Sequence, residues 1–296
     1  MPRALADELV HNGKVSAPEW VSALRAVPRH EFLPEFYEQH GAEWREVSAD
    51  SDPQRWWGRV CSDVPLVTRL GTLPNGASGP TSSSSAPGLM ARMLEALDVQ
   101  DHCSVCEIGT GTGYNAALLA HRLDAEQALS VDIDANLVGT ARERLRRTGR
   151  EPHLAAFDGS CGWPHGGVFD RLVATCAVDR IPPAWLHQTS ERGLLLCDLK
   201  IGVSAGNLVA LRQTGDAAEG RFVDGFASFM SLREGKTHQQ QHPRRDRGRV
   251  RHRHTRMTEG PWASPVPWLL ACLEMAGAVR FGYSPTSTPG IRPPSS

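Results

Sequence analysis

The chain has 296 residues, a formal net charge of −1 at pH 7 and 40% hydrophobic residues. This length predicts one large domain, or one domain with appendages, and the hydrophobic fraction excludes a wholly disordered or collagen-like chain. The balanced charge also argues against a general nucleic-acid or membrane-surface binder, because such partners favour a large basic excess.

The cysteines and the N-terminus indicate a reducing compartment. Seven cysteines, an odd number, are spread through apolar segments, whereas disulfide frameworks are typical of short secreted chains with paired cysteines. Cys103 and Cys106 form a Cys-x-x-Cys pair, but no second pair nearby completes a zinc site. Residues 1–15 contain acids and no long apolar segment, and no stretch approaches the ~20 apolar residues of a membrane span. We therefore expect reduced thiols, no metal site, no membrane span and a cytoplasmic location.

The first third of the sequence combines helical and irregular patterns. Residues 1–40 carry apolar side chains at helical spacing, and Ser16 with Glu19 forms a predicted capping box. Residues 41–87 have the composition of irregular chain and include four consecutive serines at 82–85. Low-complexity serine is typical of a solvated linker. Its position just before a predicted amphipathic helix leaves a functional loop as the alternative.

Residues 101–233 alternate short apolar runs with helical patterns, which predicts a doubly wound α/β fold with a parallel sheet. Helices are predicted at 113–122 and 135–147. No helical pattern separates the last two strands, so we expect the sheet to close with a hairpin in which one strand runs antiparallel. The predicted strands are 103–108, 128–132, 153–157, 171–175, 194–199, 208–212 and 226–232.

Residues 234–296 differ from the rest of the chain. The stretch 236–256 carries eight basic residues, four histidines and one acid, so the remainder of the chain has a formal charge of −8. It cannot bury enough apolar surface to offset its ordering entropy, which predicts a mobile basic arm within a largely disordered tail. Its histidines lack carboxylate or cysteine partners for a metal, and its arginines lack the interleaved aromatics of RNA-binding segments. A shifted reading frame is an alternative origin for this stretch.

The strongest local signal is the glycine-rich segment Glu107-Ile-Gly-Thr-Gly-Thr-Gly-Tyr114, which closes a predicted strand and opens a helix. Gly109, Gly111 and Gly113 allow a tight turn and the close approach of a ligand toward the helix amides. A dinucleotide fingerprint would need its third glycine at the position of Tyr114. The observed spacing, preceded by an acid, favours a nucleoside without a pyrophosphate, namely S-adenosylmethionine. A tight turn with no ligand is the simpler alternative.

Two further acids follow the next predicted strands. Asp132 ends the second strand, 19 positions after Gly113, where a doubly wound sheet places a carboxylate for the ribose hydroxyls. Asp158, followed by Gly159, ends the third strand, where an acceptor can meet the adenine amino group. Asp134 is the alternative ribose ligand, but we interpret it as the N-cap of the following helix.

Over about residues 1–233 the sequence resembles the protein-L-isoaspartate O-methyltransferase family. The glycine loop is shared by many methyltransferases, whereas two of the other matching segments, at 27–32 and 158–164, are much more specific. The matching segments are Ala26-Val-Pro-Arg-His-Glu-Phe-Leu-Pro34, Cys106-Glu-Ile-Gly-Thr-Gly-Thr-Gly-Tyr-Asn-Ala-Ala117, Asp158-Gly-Ser-Cys-Gly-Trp-Pro164 and Ile181-Pro-Pro-Ala-Trp-Leu186. This resemblance implies a Rossmann-like core of the S-adenosylmethionine-dependent type, with a helical N-terminal extension.

The resemblance also implies a reaction, namely methylation of the α-carboxylate of an L-isoaspartyl residue, followed by uncatalysed collapse of the ester to a succinimide. A carboxylate is already ionised at neutral pH, so the reaction needs no general base. The enzyme has to align the carboxylate with the sulfonium methyl group and to exclude water. We therefore expect few irreplaceable catalytic residues.

The resemblance points to one candidate catalytic residue. In the family a serine within a Thr-Ile-Ser-Gln-Pro stretch is expected to orient the substrate carboxylate. Anchored on Pro87, Ser85 takes this position and Ala86 replaces the glutamine, with Ser84 as the alternative if the register shifts. The candidate cofactor-binding residues are Glu107, Gly109, Thr110, Gly111, Gly113, Asp132, Asp158 and Gly159.

Substrate choice stays open between two interpretations. General repair of isoaspartyl residues in proteins or peptides is the main one. The stretch 67–80 lacks the short glycine-rich continuation of the family, and the segment at 63–68 with its poly-serine run resembles a branch found with peptide-maturation systems in actinobacteria. That branch methylates an aspartate of a ribosomally made, cyclised peptide to give an aspartimide.

Three parts are predicted along the chain: residues 1–100 as helical extension and substrate loop, 101–233 as the methyltransferase core, and 234–296 as the tail. We expect a protein or peptide substrate, and no nucleic acid bound by the acidic core. Two rival functions remain, a nicotinamide oxidoreductase and a non-catalytic peptide-binding protein that retains a cofactor pocket.

Overall fold

The computed structural model describes residues 2–73, 76–200, 206–215 and 217–233, so the predicted tail and Cys272 lie outside the described residues. The helices are α1 Pro2–His11, α2 Pro18–Ala26, α3 Pro53–Val60, α4 Pro87–Ala96, α5 Tyr114–Arg122, α6 Ala135–Arg147 and α7 Pro183–His187, with short 3-10 helices at Arg29–Phe32, Ala125–Gln127 and Gly159–Cys161. The strands are β1 Glu35–His40, β2 Glu43–Ser48, β3 Leu66–Thr72, β4 Ser78–Ser84, β5 Val105–Ile108, β6 Ala128–Asp132, β7 His153–Ala156, β8 Phe169–Val178, β9 Thr189–Leu199, β10 Gly206–Gln213 and β11 Ala218–Ala227.

The larger sheet has seven strands in the order β11-β10-β9-β8-β5-β6-β7. Strands β5 to β9 pair in parallel, and β10 pairs antiparallel with both of its neighbours. The parallel sheet that closes with an antiparallel hairpin is therefore confirmed. Strand 128–132 and helix 135–147 have the predicted bounds, because each is a single periodic segment between clear polar or glycine breaks.

Side chains of this sheet alternate between two buried cores. On one face, Val105 and Val173 pack with apolar residues of α1, α2, α4 and α5. On the other face, Cys106 and Leu172 pack with Trp185 of α7. A parallel sheet covered on both faces is the doubly wound arrangement that the alternation of strands and helices predicts.

The predicted strand 226–232 is wrong. Strand β11 ends at Ala227, and the chain then passes to the carboxyl end of β8. There Ala177 donates its amide to the carbonyl of Met230 at 2.9 Å, and Leu232 donates its amide to the carbonyl of Ala177 at 2.7 Å. Phe229 is buried beside this bridge, as a residue of a strand would be, so the local pattern did not distinguish the two arrangements.

The prediction of irregular chain at 41–87 is also wrong, and only residues 2–32 form the helical extension. Strands β1 to β4 form a second, antiparallel sheet in the order β2-β1-β3-β4. The serine run belongs to β4, where Ser82 and Ser84 are buried rather than solvated. A strand made mostly of serine carries little hydrophobic periodicity, so its local pattern does not predict a strand. It forms through its pairing with β3.

The predicted capping box at Ser16 and Glu19 does not form. Helix α2 begins at Pro18, and Ala17 is its N-cap without a side-chain bond. Instead, Glu95 of α4 caps the turn from outside, because its Oε1 accepts the amides of Ser16 and Ala17 at 2.6 Å each. The Ser16 hydroxyl donates to the same oxygen at 3.1 Å. A tertiary contact thus replaces the local one.

The described cysteines form no disulfide. Cys103, Cys106 and Cys197 are buried, Cys61 and Cys176 are partly buried, and Cys161 is exposed. Within the described part of the chain, no helix combines the length and the apolar character needed to cross a bilayer.

We expect Glu95→Ala to lower the free energy of unfolding by about 1–2 kcal/mol, because the amides of Ser16 and Ala17, just before α2, lose their acceptor. Glu19→Ala, which removes an exposed residue of the predicted capping box, should change it by less than about 0.5 kcal/mol. Urea titrations of the three proteins measure both effects. Equal losses in the two variants would contradict the assignment of Glu95 as the cap.

Candidate functional site

An open cleft lies at the carboxyl ends of β5 and β6. Three segments form its walls: Thr81 with the serine run at 82–85, the glycine-rich turn at 107–112 and the chain at 229–233. The predicted site residues that line it are Ser85, its alternative Ser84, Glu107, Gly109, Thr110, Gly111, Asp132 and Gly159. Gly113 and Asp158 lie outside this lining.

The glycine-rich turn depends on backbone conformations that other residues rarely adopt. Gly109 has φ +105° and Gly111 has φ +52°. A Cβ on Gly109 would lie 2.5 Å from Thr175 Oγ1, which donates a hydrogen bond of 2.8 Å to the Gly109 carbonyl. The turn therefore presents bare backbone to the cleft, as a ligand that approaches the main chain requires.

Gly113 serves the packing between helices. It is the N-cap of α5 with φ +87°, and a Cβ there would lie 3.0 Å from the Cβ of Ala141 on α6. We predicted that this glycine lets a ligand approach. In the structure it lets the turn pack against α6, while Gly109 and Gly111 line the cleft.

Glu107 is a fully buried carboxylate that organises the floor of the cleft. Its Oε1 accepts from Asn115 Nδ2 at 2.7 Å, and its Oε2 accepts from Ser130 Oγ at 2.5 Å. Ser130 Oγ also lies 2.7 Å from Thr110 Oγ1. Burial raises the pKa of Glu107 to about 7, although the bonds from Ser130 and Asn115 act in the opposite direction. One side chain thus connects β5, β6, α5 and the glycine-rich turn.

Asp132 faces the cleft from the end of β6. Its Oδ2 accepts the amide of Gly111 at 2.9 Å, and its Oδ1 accepts the amide of Asp134 at 3.0 Å. Arg233 Nη2 lies 3.7 Å from Oδ1. An ionised carboxylate oxygen accepts about two hydrogen bonds, so the two oxygens of Asp132 can still accept bonds from hydroxyl groups.

Asp134 forms the N-cap of α6, as we interpreted it. Its Oδ1 accepts the amides of Asn136 at 3.0 Å and Leu137 at 3.3 Å. Its Oδ2 accepts a hydrogen bond from Arg69 of β3. Asp132 is therefore the acid of this pair that lines the cleft.

Asp158 and Gly159 follow β7 and form a tight turn. Asp158 Oδ1 accepts from the amide of Ser160 at 2.9 Å and from its hydroxyl at 2.7 Å. A Cβ on Gly159 would lie 2.6 Å from Ile108 Cγ2, and the Gly159 carbonyl accepts from Trp185 Nε1 at 2.7 Å. The turn thus brings Gly159 into the cleft wall and holds Asp158 beside it.

The two candidate serines differ in their surroundings. Ser84 is 4% exposed, and its hydroxyl accepts from Arg29 Nη2 at 3.4 Å. Ser85 is partly buried, lines the cleft and precedes α4, and no hydrogen bond to its hydroxyl occurs among the described residues. Ser85 is therefore the serine with a hydroxyl available to a substrate.

Sequence reasoning did not identify two parts of the site. Arg29 is buried behind the serine run, and the chain at 229–233 forms a cleft wall by pairing with Ala177. Arg29 lies in the matched segment 26–34, and that match was the available signal for a role in the site. No local pattern indicated the position of 229–233.

We expect Glu107→Gln to remove a pH dependence of stability. Because the folded pKa is raised, protonated Glu107 contributes fully below its unfolded pKa, near 4.5, and this contribution is lost as pH rises through about 7. The free energy of unfolding of the wild type, relative to Glu107→Gln, should fall by up to the order of 3 kcal/mol between about pH 5 and pH 8. Denaturant titrations at a series of pH values measure it.

Glu126→Gln, at an exposed site, is the matched control for this series. It should show no such slope relative to the wild type. A flat difference for Glu107→Gln would mean that the carboxylate stays ionised in the folded protein.

Comparisons with known proteins give a consistent family. The sequence model described as protein-L-isoaspartate(D-aspartate) O-methyltransferase matches residues 72–222, about half of the chain. The protein-L-isoaspartate O-methyltransferase of Halorhodospira halophila is 31% identical over 236 residues, which are 78% of this chain and 91% of that protein. The enzyme of the same name from Opitutus terrae is 31% identical over 193 residues, which are 65% of this chain and 70% of that protein.

Two solved structures share the fold. A protein-L-isoaspartate O-methyltransferase superposes with a TM-score of 0.60 at 22% identity, over 78% of this chain and 65% of that one. A putative enzyme of this kind from Plasmodium falciparum, in complex with S-adenosyl-L-homocysteine, gives 0.58 at 14% identity, over 79% of this chain and 98% of that one. The α/β fold predicted from the sequence is therefore confirmed.

Proposed function

The chain belongs to the protein-L-isoaspartate O-methyltransferase family, and from this premise we propose that it transfers a methyl group from S-adenosylmethionine to the α-carboxylate of L-isoaspartyl residues in proteins or peptides. The observation that supports this most directly is the cleft, which combines a bare glycine turn, the Asp132 carboxylate and the Ser85 hydroxyl. Family membership removes the nicotinamide oxidoreductase as a rival. The cytoplasmic location and the absence of nucleic acid from the core stay predictions.

The residues of the cleft fit S-adenosylmethionine. When bound, this cofactor supplies an electrophilic methyl group on a cationic sulfonium. Gly109 and Gly111 offer the space that its methionine part needs, and Asp132 offers acceptors for ribose hydroxyls. Glu107 and Asp132 place acidic groups in the lining, which favours a cation. The complex of the Plasmodium falciparum protein with S-adenosyl-L-homocysteine agrees with this choice.

We assign the remaining cofactor contacts by the same reasoning. Thr110 and Gly159 line the cleft and can contact the cofactor directly. Asp158 lies beside Gly159 and is assigned to the adenine amino group. Gly113 is assigned an indirect role, since it sets the start of α5.

For the substrate, Ser85 is assigned to orient the carboxylate by donating its hydroxyl hydrogen. No base is needed, because an isoaspartyl carboxylate is already ionised at neutral pH. Catalysis then depends on alignment of the carboxylate oxygen with the methyl group and on exclusion of water by the cleft walls. The resulting ester collapses to a succinimide without further help from the protein.

A dedicated peptide substrate is the second candidate, and the β3–β4 hairpin favours it. This hairpin pairs from Leu66 with Ser84 out to Thr72 with Ser78, and its last residues, from Thr81, line the cleft. The substrate therefore meets a wall built from the part of the chain that departs from the family pattern. This departure is what favours the second candidate, an aspartate of a cyclised peptide that becomes an aspartimide.

Methyl transfer to peptides tests the proposed function. We expect transfer from S-adenosylmethionine to a linear isoaspartyl peptide, and none to the same peptide with normal aspartate. A cyclised aspartate-containing peptide, assayed beside them, distinguishes the dedicated substrate. Methylation of the cyclised peptide alone would contradict general repair. Transfer to none of them would support the rival of a peptide-binding protein that retains a cofactor pocket.

Two substitutions should separate cofactor binding from turnover. Asp132→Asn should weaken binding of S-adenosyl-L-homocysteine by about tenfold or more, because hydrogen bonds to a charged acceptor contribute about 1.5–3 kcal/mol. Ser85→Ala should lower kcat by about tenfold or more while changing that affinity by less than about twofold. Calorimetry and steady-state kinetics measure the two quantities.

Ser83→Ala is the matched control, because Ser83 also lines the cleft and lies two residues before Ser85. It should leave both quantities near the wild-type values. A larger loss of kcat in Ser84→Ala than in Ser85→Ala would transfer the orienting role to Ser84.

A further inference from the structure

Arg29 carries a buried positive charge that the proposed chemistry leaves unexplained. It lies in the 3-10 helix Arg29–Phe32 and is 4% exposed. No carboxylate of the described residues forms an ion pair with it. Burial lowers the pKa of Arg29 to about 10, so the guanidinium remains a cation at neutral pH.

The guanidinium binds main-chain carbonyls and one hydroxyl instead. Nη1 donates to the carbonyls of Val60 at 3.2 Å and Ser62 at 3.0 Å. Nη2 donates to the carbonyl of Val64 at 2.9 Å, to the carbonyl of Ser85 at 3.1 Å and to the hydroxyl of Ser84 at 3.4 Å. One side chain therefore joins the loop between α3 and β3 to the junction of β4 and α4.

This arrangement is expensive as a purely structural contact. A buried cation with no carboxylate in contact loses its hydration, and the carbonyl dipoles together with the more distant Asp63 replace only part of it. The Nε of Arg29 is buried and has no hydrogen-bond partner among the described residues. The placement of the charge therefore points to a role in the cleft.

The Arg29 guanidinium lies behind the serine run. Arg29 lies outside the cleft lining, but two of its five acceptors belong to the serine run that lines it. Asp132, which also lines the cleft, is an acid and disfavours an approaching carboxylate. A cation directly behind Ser84 and Ser85 offsets this repulsion on the side where the substrate carboxylate is oriented.

We propose that Arg29 is a positioning residue for the substrate carboxylate. It fixes the peptide unit after Ser85, so that the Ser85 hydroxyl stays directed at the cleft, and its charge favours an anion at that hydroxyl. The proposal rests on the proposed function, because it takes Ser85 as the residue that orients the carboxylate.

Paired variants separate this role from a structural one. Arg29→Lys keeps the charge, and Arg29→Gln keeps a donor without the charge. Arg171→Gln is the matched control, because Arg171 also binds main-chain carbonyls, those of Leu97 and Asp98 at 2.7 Å, but does so at the amino end of β8, away from the cleft. Circular dichroism and thermal unfolding establish which variants are folded.

The decisive measurement is binding of a peptide with an isoaspartyl carboxylate and of the same peptide with the carboxamide, both in the presence of S-adenosyl-L-homocysteine. We expect the wild type to prefer the carboxylate by about tenfold, as one charge-assisted hydrogen bond provides. Arg29→Gln should lose most of this preference, Arg29→Lys should retain part of it, and Arg171→Gln should retain all of it. Affinity for S-adenosyl-L-homocysteine should change by less than about twofold in every folded variant.

A wild type without preference for the carboxylate, or an Arg29→Gln variant that keeps it, would overturn the proposal. Equal losses of carboxylate, carboxamide and S-adenosyl-L-homocysteine binding in Arg29→Gln would also overturn it, in favour of a structural anchor. If Arg29→Gln does not fold, Arg29→Lys decides by the same comparison: it should keep part of the carboxylate preference and lower kcat, and an unchanged preference with wild-type kcat would overturn the proposal. Failure of methyl transfer in the wild type would instead count against the proposed function, because the binding comparison does not depend on turnover.

Discussion

The cleft depends on a carboxylate that water does not reach. Glu107 is fully buried at the end of β5, and its two oxygens hold Asn115 of α5 and Ser130 of β6. Through Ser130 the same network reaches Thr110 of the glycine-rich turn. Removal of one member would leave buried polar groups without partners, so the turn, the strand ends and the helix start are stabilised together.

Two sheets contribute to one site, and each supplies a different part. The larger sheet brings the acids and the glycine-rich turn to the carboxyl ends of its strands, where ligands of doubly wound folds bind. The smaller sheet brings the serine run as the last residues of β4. Arg29 connects this run to the loop at 60–64, so this wall of the cleft depends on the N-terminal region for its shape.

Much of the wall that the larger sheet contributes could be predicted because its signals are local. The glycine spacing, Asp132 at the end of a strand and Asp134 as a helix cap each concern a few consecutive residues. Strand β6 and helix α6 were predicted with their observed bounds for the same reason. The serine run was not recognised as a strand, because its pairing with β3 involves residues up to eighteen positions away and leaves no apolar period.

The sequence by itself determined the fold class, the family resemblance and which residue types meet at the strand ends. Only the tertiary structure decided that the Ser84 hydroxyl is bound by Arg29 while the Ser85 hydroxyl is not, that Gly113 packs on α6, and that residues 229–233 form a wall. Local propensity and periodicity describe a segment and its faces. Burial of a charge, the partner of a polar strand and the path of a chain end depend on distant residues, which compete for the same space and hydrogen bonds.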